Sequence, residues 1–142
     1  MKRVVLKGHQ GAQYKEAIAL AAVTPGHIVS LDETTQQAQP SDEAKGPVAV
    51  AIENHWLGGG LNDAYKVGDR VVYQVLKPGA EFQALVAPTA AIAYGDLVKA
   101  NTAVPGTVVG IGADEEALAI GVCRLAVTAG GADAKRTRVE VL

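Results

Sequence analysis

Asp69-Arg70-Val71-Val72-Tyr73-Gln74-Val75-Leu76, then Lys77-Pro78-Gly79-Ala80, then Glu81-Phe82-Gln83-Ala84-Leu85-Val86-Ala87, is the stretch whose reading decides the fold. Both arms are rich in the β-branched and aromatic residues that strands favour. Between them Pro78 presets φ and Gly79 takes a positive φ at no steric cost, so Lys77-Pro78-Gly79 reads as a turn. The whole, within Asp63 to Ala87, reads as a β-hairpin. Its second arm puts Phe82, Ala84 and Val86 on one face and Gln83, Leu85 and Ala87 on the other. Neither arm alternates cleanly between apolar and polar. The hairpin is therefore expected to be covered on much of both faces, as in a barrel or sandwich.

A chain of 142 residues suits one domain, and a domain near this size hides roughly two-thirds of its unfolded surface. Hydrophobic residues are 49% but aromatics only 4%, so the core is expected to be built from small, branched side chains. With 20% charged residues and a net charge of -2, there is no electrostatic case for nucleic acid or an anionic membrane. No apolar run is long enough to span a bilayer as a helix. Met1 to Lys7 begins like a signal peptide, but Val4, Val5 and Leu6 are too few for its apolar segment. A protein made in a cytoplasm is expected. The single Cys123 excludes an internal disulfide, and its place in the apolar run Leu118 to Val127 reads as a buried, inert thiol.

Along the chain, Met1 to Lys7 reads as a short strand or an ordered arm, set off by Gly8-His9-Gln10-Gly11. Tyr14 to Ala22 has helix-favouring alanines, yet Tyr14, Glu16, Ile18 and Leu20 alternate with small residues, and a strand is expected. His27 to Leu31 is another. Asp32 to Pro40 reads as a turn and a weak edge strand, and Ser41 to Pro47 as a loop. Val48 to Ile52 is a strand with three branched residues on one face and two alanines on the other, so the alanine face should meet a close surface. Glu53 to Asn62 is a long loop that sets the only Trp beside three glycines. Gly95 to Lys99 and Thr102 to Val109 read as short strands, the second broken at Pro105-Gly106. Ala117 to Thr128, the longest apolar run, reads as a buried strand or as two strands bent at Gly121. Arg136 to Leu142 reads as a terminal strand. About nine or ten short strands and no long helix predict an all-β fold. The expected form is a single-domain β-sandwich or β-barrel, jelly-roll-like, with an N-terminal arm or edge strand over 1–10 and one β domain over 11–142.

One local pattern recurs. Thr24-Pro25-Gly26-His27-Ile28-Val29, Lys66-Val67-Gly68-Asp69-Arg70-Val71 and Ala93-Tyr94-Gly95-Asp96-Leu97-Val98 all read x-x-Gly-(Asp/His)-x-Val. Gly26, Gly68 and Gly95 supply positive φ, and Asp69 and Asp96 can bond backbone groups of the turn before a strand begins. The unequal spacing excludes a solenoid. Tyr14 to Val29, with its small-residue strand running into such a turn, resembles the opening of tailed-bacteriophage capsid decoration (cement) proteins. Gly46 to Ile52, Val67 to Val71, Tyr94 to Val98 and the Ala-Ile-Gly-Val at 119–122 fit the same layout, so the resemblance extends from about Tyr14 to Thr128. His27 stands where Asp is usual. The resemblance implies a structural protein on the outer surface of a virion head, bound to the major capsid protein at subunit junctions as a homotrimer or homodimer.

Catalytic and metal patterns are missing from the sequence. His9, His27 and His55 sit in separate turns and read as surface residues, without ligand spacing. The only serines are Ser30 and Ser41, neither in a nucleophile motif. Gly58-Gly59-Gly60 lacks the Lys and Ser/Thr of a phosphate loop, and Asp114-Glu115-Glu116 reads as a solvated acidic turn. No cofactor and no enzymatic activity are expected. Trp56 with Leu57, on a Gly-rich segment, reads either as an anchor for a partner's pocket or as a lid over the barrel end. The N-terminal stretch Lys2, Arg3, Val4, Val5 and Leu6 reads either as an interface strand added to a neighbour's sheet or as the first strand of its own sheet. A β-barrel module that binds carbohydrate is the alternative function; it would need an exposed row of aromatics.

Overall fold

The structure, a computed structural model, describes residues 3–7, 13–43 and 47–142. Lys2, the spacer Gly8-His9-Gln10-Gly11 and the expected boundary between 10 and 11 lie outside them. The described residues form short strands joined by turns and two single-turn 3-10 segments, with no α-helix among them, so the all-β expectation holds. Strands β7 (Glu81–Val86), β11 (Lys135–Val141), β10 (Gly121–Cys123), β8 (Leu97–Ala100) and β9 (Val108–Gly110) follow one another round a five-stranded barrel. It closes where β9 meets β7 in parallel, Val86 opposite Val108. β1 (Val5–Lys7) extends the wall antiparallel to β7, with Val5 opposite Phe82. A second sheet sets β6 (Arg70–Val75) between β2 (Gln13–Ile18) and β5 (Ala49–Ala51), and β3 (Val29–Leu31) pairs with β4 (Ala38–Pro40).

The sequence is poor in large apolar residues, and the packing follows from that. The barrel interior is filled by Phe82, Ala84 and Val86 from β7, Val98 and Ala100 from β8, Val108, Cys123, and Val139 and Val141 from β11. Val48, Val50, Ile52 and Val72 close it from the second sheet. The opposite face of that sheet, with Ala51, Val71 and Tyr73, packs on Val29 and Ala38 of β3 and β4 and on Val23 and Tyr65. The alanine face of Val48 to Ile52 thus meets a close surface, as expected, and its branched face enters the barrel. Cys123 is fully buried; its thiol lies 3.3 Å from Thr137 Oγ1.

The hairpin expectation is overturned. Both strands exist within a residue or so of their expected bounds, and both are buried on two faces. They do not pair: β6 belongs to the second sheet and β7 to the barrel. The turn between them explains why. Ala80 N–H donates to Lys77 O at 3.1 Å and Gly79 has φ 89°, which with Pro78 before it makes a type II turn. Tight two-residue hairpins use types I′ and II′, whose twist matches the strands; type II splays them apart. Each strand therefore finds other partners, and Lys77 to Ala80 is a corner between sheets.

The run Ala117 to Thr128 is likewise no long strand. Only Gly121 to Cys123 joins the barrel; Glu116 to Leu118 is a 3-10 turn, and Leu118 and Leu125 are exposed. The expected Thr102 to Val109 strand contracts to Val108–Gly110. Gly121 marks a close approach instead of a bend. A Cβ there would lie 2.4 Å from Val139 Cγ1 and 2.6 Å from Glu140 O of the paired strand.

The recurring turn is more widespread than its sequence pattern. Thr24–His27, Lys66–Asp69, Lys77–Ala80, Ala93–Asp96 and Val104–Thr107 each have a positive-φ glycine third and a bond from the fourth N–H to the first carbonyl. In each, the glycine N–H is also pinned to a carbonyl far along the chain: Gly26 to Ala51, Gly68 to Ala19, Gly79 to Val141, Gly95 to Cys123 and Gly106 to Ser41, all within 2.9 Å. The residue after the glycine reaches back in the three turns singled out by sequence. Asp69 Oδ2 accepts from Lys66 N–H at 2.8 Å, Asp96 Oδ2 from Ala93 N–H at 3.0 Å, and His27 Nδ1 from Thr24 N–H at 3.0 Å. His27 does with a ring nitrogen what Asp does elsewhere with a carboxylate.

Gly68 offers a clean test, because a Cβ there meets no heavy atom within 4 Å and only its φ of 90° forbids a side chain. Gly68→Val should destabilise the protein by about 1–3 kcal/mol through backbone strain. An unchanged thermal melting temperature would contradict the turn geometry.

Candidate functional site

The loop after β5 starts in the core and ends in solvent. Ile52 is buried, and its carbonyl accepts the Tyr65 hydroxyl at 2.8 Å. Glu53 is also buried and its Oε2 accepts the Val4 N–H at 3.0 Å. The chain then coils on itself: Asn54 O accepts from Leu57 N–H at 3.2 Å and from Gly59 N–H at 2.8 Å, closing the 3-10 turn His55–Leu57. Gly59 is required by proximity, since a Cβ would lie 3.0 Å from Asn54 O. Gly60 and Asp63 close the far side, with Gly60 N–H donating to Asp63 Oδ2 at 2.6 Å. At the tip Trp56 is 63% and Leu57 85% exposed. Trp56 and Leu57 are thus both exposed on the loop.

The base of the loop rests on Arg136 of β11. Its Nη2 donates to Leu61 O at 2.7 Å and lies 3.4 Å from Asn62 Oδ1. Its Nη1 is buried without a partner among the described residues. Burial lowers the guanidinium pKa, and the Glu53 carboxylate opposes that shift. On the other side of Arg136 lies the Thr24–His27 turn, where a Cβ on Gly26 would come 2.5 Å from Nη1 and 2.8 Å from Gln83 O. His27 is half-buried, not a surface turn residue as expected. Burial, with the Arg136 charge second, pulls its pKa from 6.5 down to about 4. The ring is thus neutral at neutral pH, and its Nδ1 is free to accept the turn's N–H.

The expected interface residues fall into two groups. Trp56 and Leu57 are exposed together at the tip. Val4 and Val5 are buried in the chain's own barrel and Leu6 is half-buried, while Arg3 is exposed beside the loop's base, its carbonyl accepting from Gln83 Nε2 at 2.9 Å. Arg136 and Glu53, which hold the tip in place, were missed by sequence reasoning. Arg136 contacts Leu61 across 75 positions, and nothing local in its strand pattern marks that reach. Among the described residues no group of three or more His, Cys, Asp or Glu is placed to hold a metal ion.

No family model matches this chain, and no curated protein matches it in sequence. Its structure is similar to the crystal structure of the N base of head fiber gp8.5 of bacteriophage phi29, with a TM-score of 0.60 over 92% of this chain and 94% of that one. The two are 11% identical, so what they share is the fold.

The His27 geometry makes stability depend on pH. A folded pKa near 4 against 6.5 unfolded means that the unfolded chain takes up a proton first as pH falls. The contribution of His27 is complete above pH 6.5 and is lost between 6.5 and about 4, at most roughly 3 kcal/mol. Urea unfolding across that window should show wild type losing more stability than His27→Asn, whose amide oxygen can take the same N–H. Parallel curves for the two would contradict the assignment.

Proposed function

We propose that this protein is a structural component of a tailed-phage head. It attaches to the outer surface of the shell at junctions between major capsid subunits, as a homotrimer or homodimer, and stabilises the shell against the pressure of packed DNA. The observation that supports this best is the fold shared, over nearly the whole chain, with the base of a phage head fiber. The turn and small-residue pattern that resembles decoration proteins points the same way.

The physical role is mechanical. A protein that binds only the assembled junction stabilises the assembled state by mass action, and many weak sites on one shell act together. A contact surface for that role must be exposed and firmly held. The Trp56–Leu57 tip meets both conditions through Glu53, Asn54 and Arg136, and we assign it to the shell or to a neighbouring copy, with Arg3 beside it. The carbohydrate alternative is less favoured, because the exposed aromatics Tyr14, Trp56 and Tyr94 come one each from three separate elements, β2, the loop and the turn before β8. The Tyr94 ring moreover lies under Arg124, 5.9 Å from its guanidinium carbon.

Mixing the protein with purified mature and immature heads and sedimenting them tests the proposal. Saturable co-sedimentation with mature heads is expected. Protein that stays in the supernatant with both forms would contradict it.

A further inference from the structure

A pocket of about 650 Å³ opens between the β3–β4 pair and the start of β5, and no residue of the Trp56 loop lines it. Its size is that of a small-ligand site. Part of its wall is apolar and buried: Val29, Val48 and Tyr73. Four carboxylates line it as well, those of Asp32, Glu33, Asp42 and Glu43, and among the described residues no Lys, Arg or His does. Asp32 is engaged by its own turn, accepting from the Thr34 and Thr35 N–H groups at 3.0 and 3.1 Å. Glu33 and Asp42 are exposed, and their carboxylates have no hydrogen bond or ion pair among the described residues. Tyr73 sets this place apart from a solvated acidic turn such as Asp114 to Glu116. Tyr73 is 7% exposed, yet its hydroxyl has no hydrogen-bond partner among the described residues. The Tyr65 hydroxyl, on a residue buried to a similar degree, bonds Ile52 O at 2.8 Å. A buried tyrosine normally finds such a partner; this one lines the pocket without one.

We propose that this pocket receives a lysine side chain of a partner protein, held by the Tyr73 hydroxyl and the carboxylates of Glu33 and Asp42. The alkyl stem of a lysine lies along apolar surface while its charge stays in water, which matches buried Val29 and Val48 below exposed carboxylates. Its ammonium carries three rotatable donors. That suits acceptors supplied by separate elements: Tyr73 from β6, Glu33 from the turn after β3 and Asp42 from the segment after β4. The planar fork of an arginine instead suits one carboxylate, bound in bidentate fashion. Because the carboxylates are exposed, the pair forms at the mouth and escapes the desolvation cost of a buried ion pair. For the same reason the contact is weak and is screened by salt. This is a second contact surface, and it holds or fails independently of attachment to a shell.

The probe is N-acetyl-lysine methylamide, titrated to millimolar concentration into the isotope-labelled full chain at low salt and read by amide chemical shifts. Saturable shifts confined to the residues that line the pocket are expected. N-acetyl-norleucine methylamide, which lacks the ammonium, and matched sodium chloride should produce none. Tyr73→Phe should keep the melting temperature, since the hydroxyl bonds nothing among the described residues, and should weaken binding about tenfold, as expected for one hydrogen bond to a charged group. Glu33→Gln/Asp42→Asn should weaken it at least as much. Asp114→Asn/Glu116→Gln, the same charge change outside the pocket, should leave it unchanged. Should Tyr73→Phe melt early, the two acidic double variants decide. A wild type that shows no saturable shifts would overturn the proposal, as would equal shifts with the norleucine compound, shifts spread over the surface, or equal losses in the two acidic double variants. So would binding that appears only after Lys45→Ser, the outcome if this chain's own Lys45, which lies outside the described residues, is the lysine that the pocket takes.

Discussion

Two strands, β5 and β6, are buried on both faces, and the remaining elements are arranged around that constraint. Val50 and Val72 point into the barrel while Ala51, Val71 and Tyr73 point into the second cluster. A strand with two dry faces cannot show polar alternation, which is why neither reads as a simple amphipathic strand. The alanines of β5 fall on the side where the β3–β4 pair packs close, and the branched residues fall on the side of the barrel. The corner at Lys77 to Ala80 then carries the chain from the shared sheet into the barrel wall. With one Phe and one Trp in the chain, and only the Phe inside, such a core depends on many small contacts at crystal-like density instead of a few large anchors.

What was legible in the sequence was local. Strand positions followed from β-branched runs between Gly and Pro, and the turns at Gly26, Gly68 and Gly95 followed from a glycine and an acceptor one residue later. What was not legible was pairing. The β6 and β7 strands are adjacent in sequence and separated in space because of the twist of one type II turn. Neither composition nor spacing reveals that twist unless the turn type is weighed against hairpin geometry. The run at Ala117 to Thr128 misled for a related reason: apolar content does not measure burial, and Leu118 and Leu125 face water. At the candidate site, the tip was visible as a lone Trp beside three glycines. Its support was not, because Glu53 reaches Val4 across 49 positions and Arg136 reaches Leu61 across 75.

The tip, the turns and the proposed role are physically connected. A clamp on a pressurised shell does no chemistry, so it needs a rigid body and a fixed contact. Rigidity comes from glycine N–H groups that bind carbonyls distant in the chain, so that each turn is also a cross-tie. The loop that carries Trp56 and Leu57 is tied at one end by the buried Glu53 and at the other by the half-buried Arg136. The cost is the partial burial of Arg136, whose Nη1 lacks a partner among the described residues and whose charge helps keep His27 neutral. That arrangement makes the His27 turn beside Arg136 sensitive to acid.

The most direct measurement is a cryo-microscopy reconstruction of phage heads saturated with this protein. The account predicts ordered density for a single small barrel repeated on the outside of the shell over junctions between capsid subunits, with neighbouring copies in register. Density inside the shell, or no added density at saturating concentration, would contradict it.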